Sequence, residues 1–472
     1  MGRSAFLYAG FLKNLGFDAT ECQDRLFREI AAFVTGDEDL MVVNGYAGTG
    51  KTSALAAVIS TLDFFNVPCV LLAPTGRAAK VLSSFAHKPA YTIHKHIYRQ
   101  KSGGLAEFSL GPNKLKDALF IVDEASLIGI DSQERSAASF GSGNLLEDLL
   151  QFVRNGVNCK LIVSGDSAQL PPVGAEVSPA LHEGYMRSLG ATRFATLGTV
   201  VRQQEDSGIL ANATALRELI CEDIEIPLDE LGLSCAPYPE IERIDGGQLI
   251  DALSDAFSRY GEDDTVVLCR SNKRANRYNA GIRGAVQFKE ERLVRDDKLM
   301  AVKNCYKFEG DCEGLEFIAN GDIVKLLNIS SFEERYGLHF ARARLRLPDF
   351  DDREIVARVI LDTLDSDAAS LSYEQQKALY EGVCADYADL GSRRKQMEAV
   401  REDPYYNALQ LKYANAITCH KSQGGQWSCV FIDNPFWQDF LTPEDLKWLY
   451  TAFTRAVEKI YLVNFKDECF AD

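Results

Sequence analysis

A chain of 472 residues exceeds what one hydrophobic core fills and leaves room for about three domains. Its 46% hydrophobic and 25% charged residues are those of an ordinary globular protein, and no apolar run reaches the ~18 residues of a membrane span, so no membrane partner is expected. The formal net charge of −17 excludes a protein that coats nucleic acid through bulk charge, while leaving open a narrow basic track.

The first apolar stretch, 5–12, is interrupted by Lys13 and Asn14 with no small-residue cleavage site after it, so no secretory leader is expected. Phe6 occupies the position where myristoylation needs Ser or Thr. The twelve cysteines are scattered without a C-x-x-C pair and read as reduced thiols of a cytoplasmic protein.

Leu40-Met41-Val42-Val43 is a short apolar run of the kind that forms a buried strand. Directly after it, residues 45–52 read Gly-Tyr-Ala-Gly-Thr-Gly-Lys-Thr, a complete G-x-x-x-x-G-K-[ST] phosphate loop. Gly45, Gly48 and Gly50 let the backbone around Thr49 turn tightly and aim its N–H groups at phosphate oxygens. Lys51 adds a point charge on the β- and γ-phosphates, and the Thr52 hydroxyl suits Mg²⁺. The following Ser-Ala-Leu-Ala-Ala-Val-Ile-Ser predicts a helix whose N-terminal dipole faces the nucleotide. This strand-loop-helix unit predicts binding of a nucleoside triphosphate.

Further strand-like runs fall at 69–73, 119–122 and 160–164, then at 265–269, 430–432 and 460–463, with helical patterns between them. Such alternation predicts parallel sheets covered by helices, in two α/β domains. Residues 132–143, rich in Ser, Ala and Gly, predict a mobile loop. Composition shifts over 326–409, where 338–347 alternates like a half-buried strand, 355–361 suggests another, and 373–400 is polar and helical. The α/β pattern resumes at Ala416, so this segment reads as an insertion.

Phe120-Ile121-Val122-Asp123-Glu124 is an apolar strand ending in two carboxylates. There, Asp123 suits the Mg²⁺ shell and Glu124 the orientation or deprotonation of an attacking water. The run 161–166 leads into Ser167-Ala168-Gln169-Leu170-Pro171-Pro172, a proline-stiffened loop in which Gln169 is placed to sense a γ-phosphate. Basic residues gather at Arg77 and Lys80, at Lys95, Arg99 and Lys101, and at Arg270, Lys273, Arg274, Arg277 and Arg283. Each group suits a nucleic-acid track or a solvated face equally well.

Together these segments resemble, in order over most of the chain, the RecD-like and Dda-like branch of superfamily 1 DNA helicases, superfamily 1B, which moves 5′ to 3′. Ala19-Thr20-Glu21-Cys22-Gln23 resembles the family's Q motif, which implies that Gln23 reads adenine. Residues 72–79 resemble motif Ia and Thr92-Ile93-His94 motif Ib, which implies contact of Pro74, Thr75 and His94 with a single strand. Asp123-Glu124 and 165–171 resemble motifs II and III, the Arg202 region motif IV, 416–424 motif V, and 450–456 motif VI. Within motif V, Thr418, His420, Lys421 and Gln423 supply short donors suited to phosphates, and Gly424 permits close backbone approach. Arg202 and Arg455 gain their case as arginine fingers from the resemblance.

The resemblance implies two RecA-like P-loop domains with parallel sheets plus two small inserts, the second SH3-like. The implied limits are 1–195 for domain 1A, with insert 1B near 93–113; 196–325 and 410–472 for domain 2A; and 326–409 for insert 2B. In insert 1B, Tyr98 and Phe108 are candidates to stack on bases. The implied activity is an ATP- and Mg²⁺-dependent 5′-to-3′ helicase, a monomeric motor acting on single-stranded DNA and duplex junctions, with repair or replication proteins as partners. Rival readings are a translocating ATPase subunit of a larger complex and a non-enzymatic nucleotide-switched binding module.

Overall fold

The computed structural model describes residues 2–100, 107–129, 139–201, 207–310, 315 and 317–471. The P-loop run extends into the strand Leu40–Gly45 (β1), buried along nearly all its length. It lies inside a six-stranded sheet with Cys69–Ala73 (β2), Ala90–Thr92 (β3), Leu119–Val122 (β4), Lys160–Gly165 (β5) and Arg193–Leu197 (β6). The order is β3-β2-β4-β5-β1-β6, and every pairing is parallel. Continuous apolar strands of this kind need cover on both faces. On one face Met41, Val43, Ile121 and Ile162 pack with the helices Arg3–Leu15, Glu21–Thr35 and Lys51–Phe64; on the other, Val42, Phe120 and Val163 pack with Leu145–Arg154. The order reverses between β1 and the β2 side of the sheet, which puts the ligand crevice beyond the C-terminal ends of β1, β4 and β5.

The second sheet starts with Ile241–Ile244 (β7) and Thr265–Cys269 (β8). The chain then leaves it for Lys298–Ala301 (β9), Ile323–Arg335 (β10), Leu338–Leu347 (β11), Arg353–Ile360 (β12) and Leu409–Tyr413 (β13). It returns with Ala416–Thr418 (β14), Trp427–Asp433 (β15) and Ala456–Val463 (β16), giving the all-parallel order β7-β16-β15-β8-β14.

Between these visits, β12-β11-β10-β9-β13 forms antiparallel neighbours, and a parallel pairing of β12 with β13 closes them into a five-stranded barrel. Closure removes sheet edges and encloses Leu299, Val324, Leu345, Ile355 and Leu411. The barrel therefore takes strands from both sides of the expected 326–409 segment. Sequence periodicity marked β11 and β12, whereas the short β9 resembles any apolar run. The polar helical stretch is two helices, Tyr373–Asp386 and Arg393–Glu402, which cover Leu338, Phe340 and Ile360 on the outside of the barrel.

The boundary expected after residue 195 falls inside β6, which completes the first sheet to Leu197. The helix Gly208–Glu222 packs instead with the second domain, its Ile209, Ala213 and Leu216 sharing a core with Leu446, Leu449 and Phe453. In the expected 1B segment, Ile93–Ile97 is a short helix, and Tyr98–Gln100 pairs antiparallel with Glu107–Leu110. Tyr98 is a core residue rather than a stacking platform: it is 3% exposed, and its hydroxyl donates to Asp148 Oδ2 at 2.7 Å. The Phe108 side chain, Lys101 and most of the 132–143 loop lie outside the described residues. Among the described residues, no helix is long and apolar enough to cross a membrane.

Candidate nucleotide cleft and polynucleotide face

The phosphate loop leaves β1 and enters the helix Lys51–Phe64 through two left-handed glycines, Gly48 at φ 71° and Gly50 at φ 73°. Side chains are disfavoured there twice over, by backbone conformation and by space. A Cβ on Gly50 would lie 2.4 Å from Gln23 Nε2, and one on Gly48 2.8 Å from Leu210. Gln23 is fully buried. Its Oε1 accepts the Thr20 N–H at 3.0 Å, closing a capping box on the helix Glu21–Thr35, and its Nε2 donates to the Thr49 carbonyl at 3.3 Å. In this conformation Gln23 braces the loop; both ends of the amide it was expected to offer to adenine are engaged within the protein.

Lys51 Nζ lies 3.1 Å from Asp123 Oδ1. Burial opposes the Lys51 ammonium, but Asp123, Glu124 and Asp166 outweigh it and hold its pKa above the ordinary value. A cation facing three carboxylates across β1, β4 and β5 is an arrangement that phosphate oxygens and a divalent ion can re-partition. Glu124, left-handed at φ 55°, and Gln169 each keep one buried side-chain oxygen without a hydrogen-bond partner, Oε2 and Oε1. Such atoms are costly inside a protein unless a ligand or water completes them. Among the described residues no group of three or more His, Cys, Asp or Glu could hold a metal by itself. The remaining donors, the Thr52 hydroxyl and the Asp123 carboxylate, are of the hard-oxygen kind that would hold Mg²⁺ beside a bound phosphate.

These groups line a cavity of about 550 Å³ walled by both domains. Gly45, Gly48, Gly50, Lys51, Thr52, Asp123, Glu124 and Gln169 come from the first domain, and Gly424, Gly425, Thr454 and Arg455 from the second. Arg455 is 4% exposed. Its guanidinium donates to the carbonyls of Thr451 (3.0 Å) and Gly425 (3.2 Å) and to Thr454 Oγ1 (3.1 Å), and among the described residues it has no ion pair. It is a charge at the cavity wall that no carboxylate among the described residues pairs with. Arg202 lies outside the described residues; its neighbour Val201 donates its N–H to the Gly48 carbonyl at 3.0 Å.

Sequence reasoning passed over two residues here. Tyr450, on the helix Pro443–Phe453, accepts the Ala47 N–H at 2.9 Å and donates to Asp166 Oδ2 at 2.6 Å. Thr451 Oγ1 accepts the Leu170 N–H at 2.8 Å. Both sit in the expected motif VI, where nothing local marks a hydroxyl whose partner lies on the other domain. Burial raises the Asp166 carboxyl above its usual range, while Tyr450 and Lys51 work in the opposite direction.

The residues expected on the polynucleotide track have been used more variously. Thr75 caps the helix Gly76–Ala86, accepting the Ala78 N–H at 3.2 Å, and Pro74 precedes it at the end of β2. Gly424, at φ 72°, presses against that helix: a Cβ there would lie 3.0 Å from Ala78 Cβ and 3.3 Å from Thr75 Oγ1. Motifs Ia and V thus meet across the domain boundary. Arg77 extends the contact, its guanidinium 3.9 Å from the Trp427 ring centre and donating to the Gln426 carbonyl at 3.1 Å. His94 lies against the Tyr98 ring, and burial pushes its pKa down to about 4. His420 is also lowered by burial, so both imidazoles are neutral donors or acceptors at pH 7 rather than cations. Thr418 is half-buried at the end of β14, and Lys421 donates to Asn320 Oδ1 of the segment leading into β10.

One expectation is corrected and one open alternative is decided. Gln423 is buried, and its Nε2 donates to the Leu170 carbonyl at 2.7 Å, so it joins the domains instead of facing a strand. Of the basic group at 270–283, Arg270 pairs with Asp445, Arg274 with Asp433 and Arg283 with Asp297, which makes these three structural.

The fold and cleft define a P-loop nucleotide-binding protein of two RecA-like domains. Residues 20–223 match the family model of an AAA domain, and residues 413–463 that of the UvrD-like helicase C-terminal domain. The ATP-dependent RecD2 DNA helicase of Deinococcus radiodurans is 32% identical over 139 residues, which cover 29% of this chain and 16% of that protein. The ATP-dependent DNA helicase dda of Enterobacteria phage T4 is 22% identical over 480 residues, which cover 94% of this chain and 99% of that protein. Among solved structures, Pif1 helicase from Bacteroides in complex with ADP-AlF3 and single-stranded DNA is 16% identical, with coverage of 96% and 94% and a TM-score of 0.49. The chain spans well under half of most of these curated relatives, RecD2 included, and nearly the whole of the phage protein. These similarities are those expected of a superfamily 1B helicase.

Proposed function

We propose that this protein is an ATP-driven motor that moves 5′ to 3′ along single-stranded DNA and unwinds duplex ahead of it. The observation that carries the reading is a cleft with its phosphate loop, Asp123, Glu124 and Gln169 on one domain and, on the other, Arg455, which has no ion pair among the described residues. ATP is the substrate, with Lys51 on its β- and γ-phosphates, Thr52 and Asp123 as the Mg²⁺ donors, and Glu124 orienting water. Gln169 senses the γ-phosphate, and Arg455, with Arg202, neutralises charge that develops there. Only a two-domain site converts hydrolysis into relative movement, because its charges are complete only when the domains are closed.

The strand lies across Pro74, Thr75, His94, Thr418, His420 and Lys421, on the side where motifs Ia and V touch. These short donors favour backbone phosphates over base edges, so sequence preference is small and salt dependence strong. The similarity to the ATP-dependent DNA helicases RecD2 and dda supports DNA as the polymer. The barrel is the 2B insert of this motor, and the pair Tyr98–Gln100 and Glu107–Leu110 belongs to 1B. The test is unwinding of duplexes that carry a 5′ or a 3′ single-stranded tail, with and without ATP. Unwinding from the 5′ tail alone supports the reading; unwinding from the 3′ tail reverses the polarity, and ATP turnover with neither leaves a translocating subunit.

A further inference from the structure

The turn from Asp166 to Leu170 leaves a first-domain strand, yet the second domain holds it. Tyr450 takes Asp166 Oδ2 at 2.6 Å, and Leu170 has both backbone groups bound across the boundary, its N–H by Thr451 Oγ1 at 2.8 Å and its carbonyl by Gln423 Nε2 at 2.7 Å. The Tyr450 hydroxyl also receives the Ala47 N–H of the phosphate loop at 2.9 Å. One phenol therefore touches the phosphate loop and the turn that carries Gln169, while its own helix leads within five residues to Arg455.

We infer that Tyr450 is a positioning residue for ATP hydrolysis: its hydroxyl ties the phosphate loop and the Asp166 turn to the helix that delivers Arg455. This rests on the ATPase reading above. Arg455 follows that helix closely, because its guanidinium is bonded to Thr451 and Thr454 of the same segment. Tyr450 is 1% exposed and shares the core of the second domain with Leu446, Trp448 and Phe453. A phenylalanine would fill the same volume, so packing does not call for the hydroxyl. What the hydroxyl adds is one bond to a buried carboxylate and one to a phosphate-loop amide, both of which would be stranded without it.

The test is Tyr450→Phe, read as steady-state ATP hydrolysis with saturating single-stranded DNA alongside thermal unfolding. The expected result is a kcat lowered about tenfold, equivalent to ~1.4 kcal/mol, with KM for ATP held within about twofold, because the nucleotide is still bound but Arg455 and Gln169 are less well placed. Asp166→Asn keeps the shape and weakens the same link; the double variant should be no slower than the slower single one. Unchanged kcat in Tyr450→Phe, or effects of the two substitutions that multiply, would overturn the inference. Should Tyr450→Phe fail to fold, Thr451→Val probes the same turn through the Leu170 N–H. A kcat loss without a KM change supports the coupling, and an unchanged kcat overturns it. Absence of ATP turnover in the unaltered protein would defeat the ATPase reading itself, which separates the two failures.

Discussion

The candidate nucleotide cleft and the proposed polynucleotide face sit on the same two domains but are built differently. In the cleft the chemistry is concentrated: one loop and the ends of two strands bring Lys51, Asp123, Glu124 and Gln169 together, and buried oxygens remain without partners. On the polynucleotide face the same motifs are tied into the protein, Thr75 as a cap, Gln423 on Leu170 and Lys421 on Asn320. The cleft holds polar groups that a ligand must complete, whereas much of the face is already satisfied. Binding there must act through exposed edges, and much of what the face does is to join domains.

Substitutions sharpen that contrast, and the largest effect belongs to the cleft. Lys51→Ala leaves Asp123, Glu124 and Asp166 facing one another and removes the charge on the transferred phosphate. ATP turnover should fall at least about a hundredfold, with the far-ultraviolet circular dichroism spectrum retained; turnover near that of the unaltered protein would break the assignment. Arg455→Ala should cost a similar or slightly smaller factor in kcat, roughly a hundredfold, with little change in KM. A loss confined to KM would make Arg455 a binding residue.

The next effect lies where the barrel meets the first domain. Asp322 is buried against the start of the helix Gly76–Ala86, its Oδ1 2.7 Å from the place a Cβ on Gly76 would occupy, and burial raises its pKa to about 7. A carboxyl whose folded pKa lies above its unfolded value near ~3.9 favours the folded state below both and loses that benefit as pH rises through 7. Asp322→Asn should therefore be more stable than the unaltered protein at pH 8, by up to ~4 kcal/mol, and equal to it near pH 4. Urea unfolding at the two pH values measures this, and a difference independent of pH would refute it. The smallest effect is on the face: Lys421→Ala should weaken single-stranded DNA binding mildly and reduce the salt slope of log K by about 0.7. An unchanged slope would mean that Lys421 serves Asn320 alone.

The same contrast explains what the sequence could say. The phosphate loop, β4 with Asp123 and Glu124, and the strands at 69–73 and 265–269 are short segments whose pattern and chemistry coincide, so they read directly from the chain. The barrel did not. It closes by pairing β12 with β13 across the two outer helices, and β9 precedes its partner β10 by more than twenty residues. Tyr450 escaped, and Gln423 was assigned to the strand rather than to the domain boundary, for a related reason: their partners lie 284 and 253 residues away and nothing local distinguishes a phenol or an amide that spans domains from one in a core. The arginines at 270, 274 and 283 suited a track and a solvated face equally because their carboxylates, Asp445, Asp433 and Asp297, are contributed from elsewhere in the chain.

In the proposed motor, closure of the two domains around ATP is coupled to a nucleic-acid strand lying across both. It is tested most directly by the kcat of ATP hydrolysis measured with and without single-stranded DNA. A rise in kcat of at least about tenfold with DNA is expected, abolished by Lys51→Ala and largely lost in Arg455→Ala. Equal turnover with and without DNA would contradict it, because the cleft would then work independently of the face.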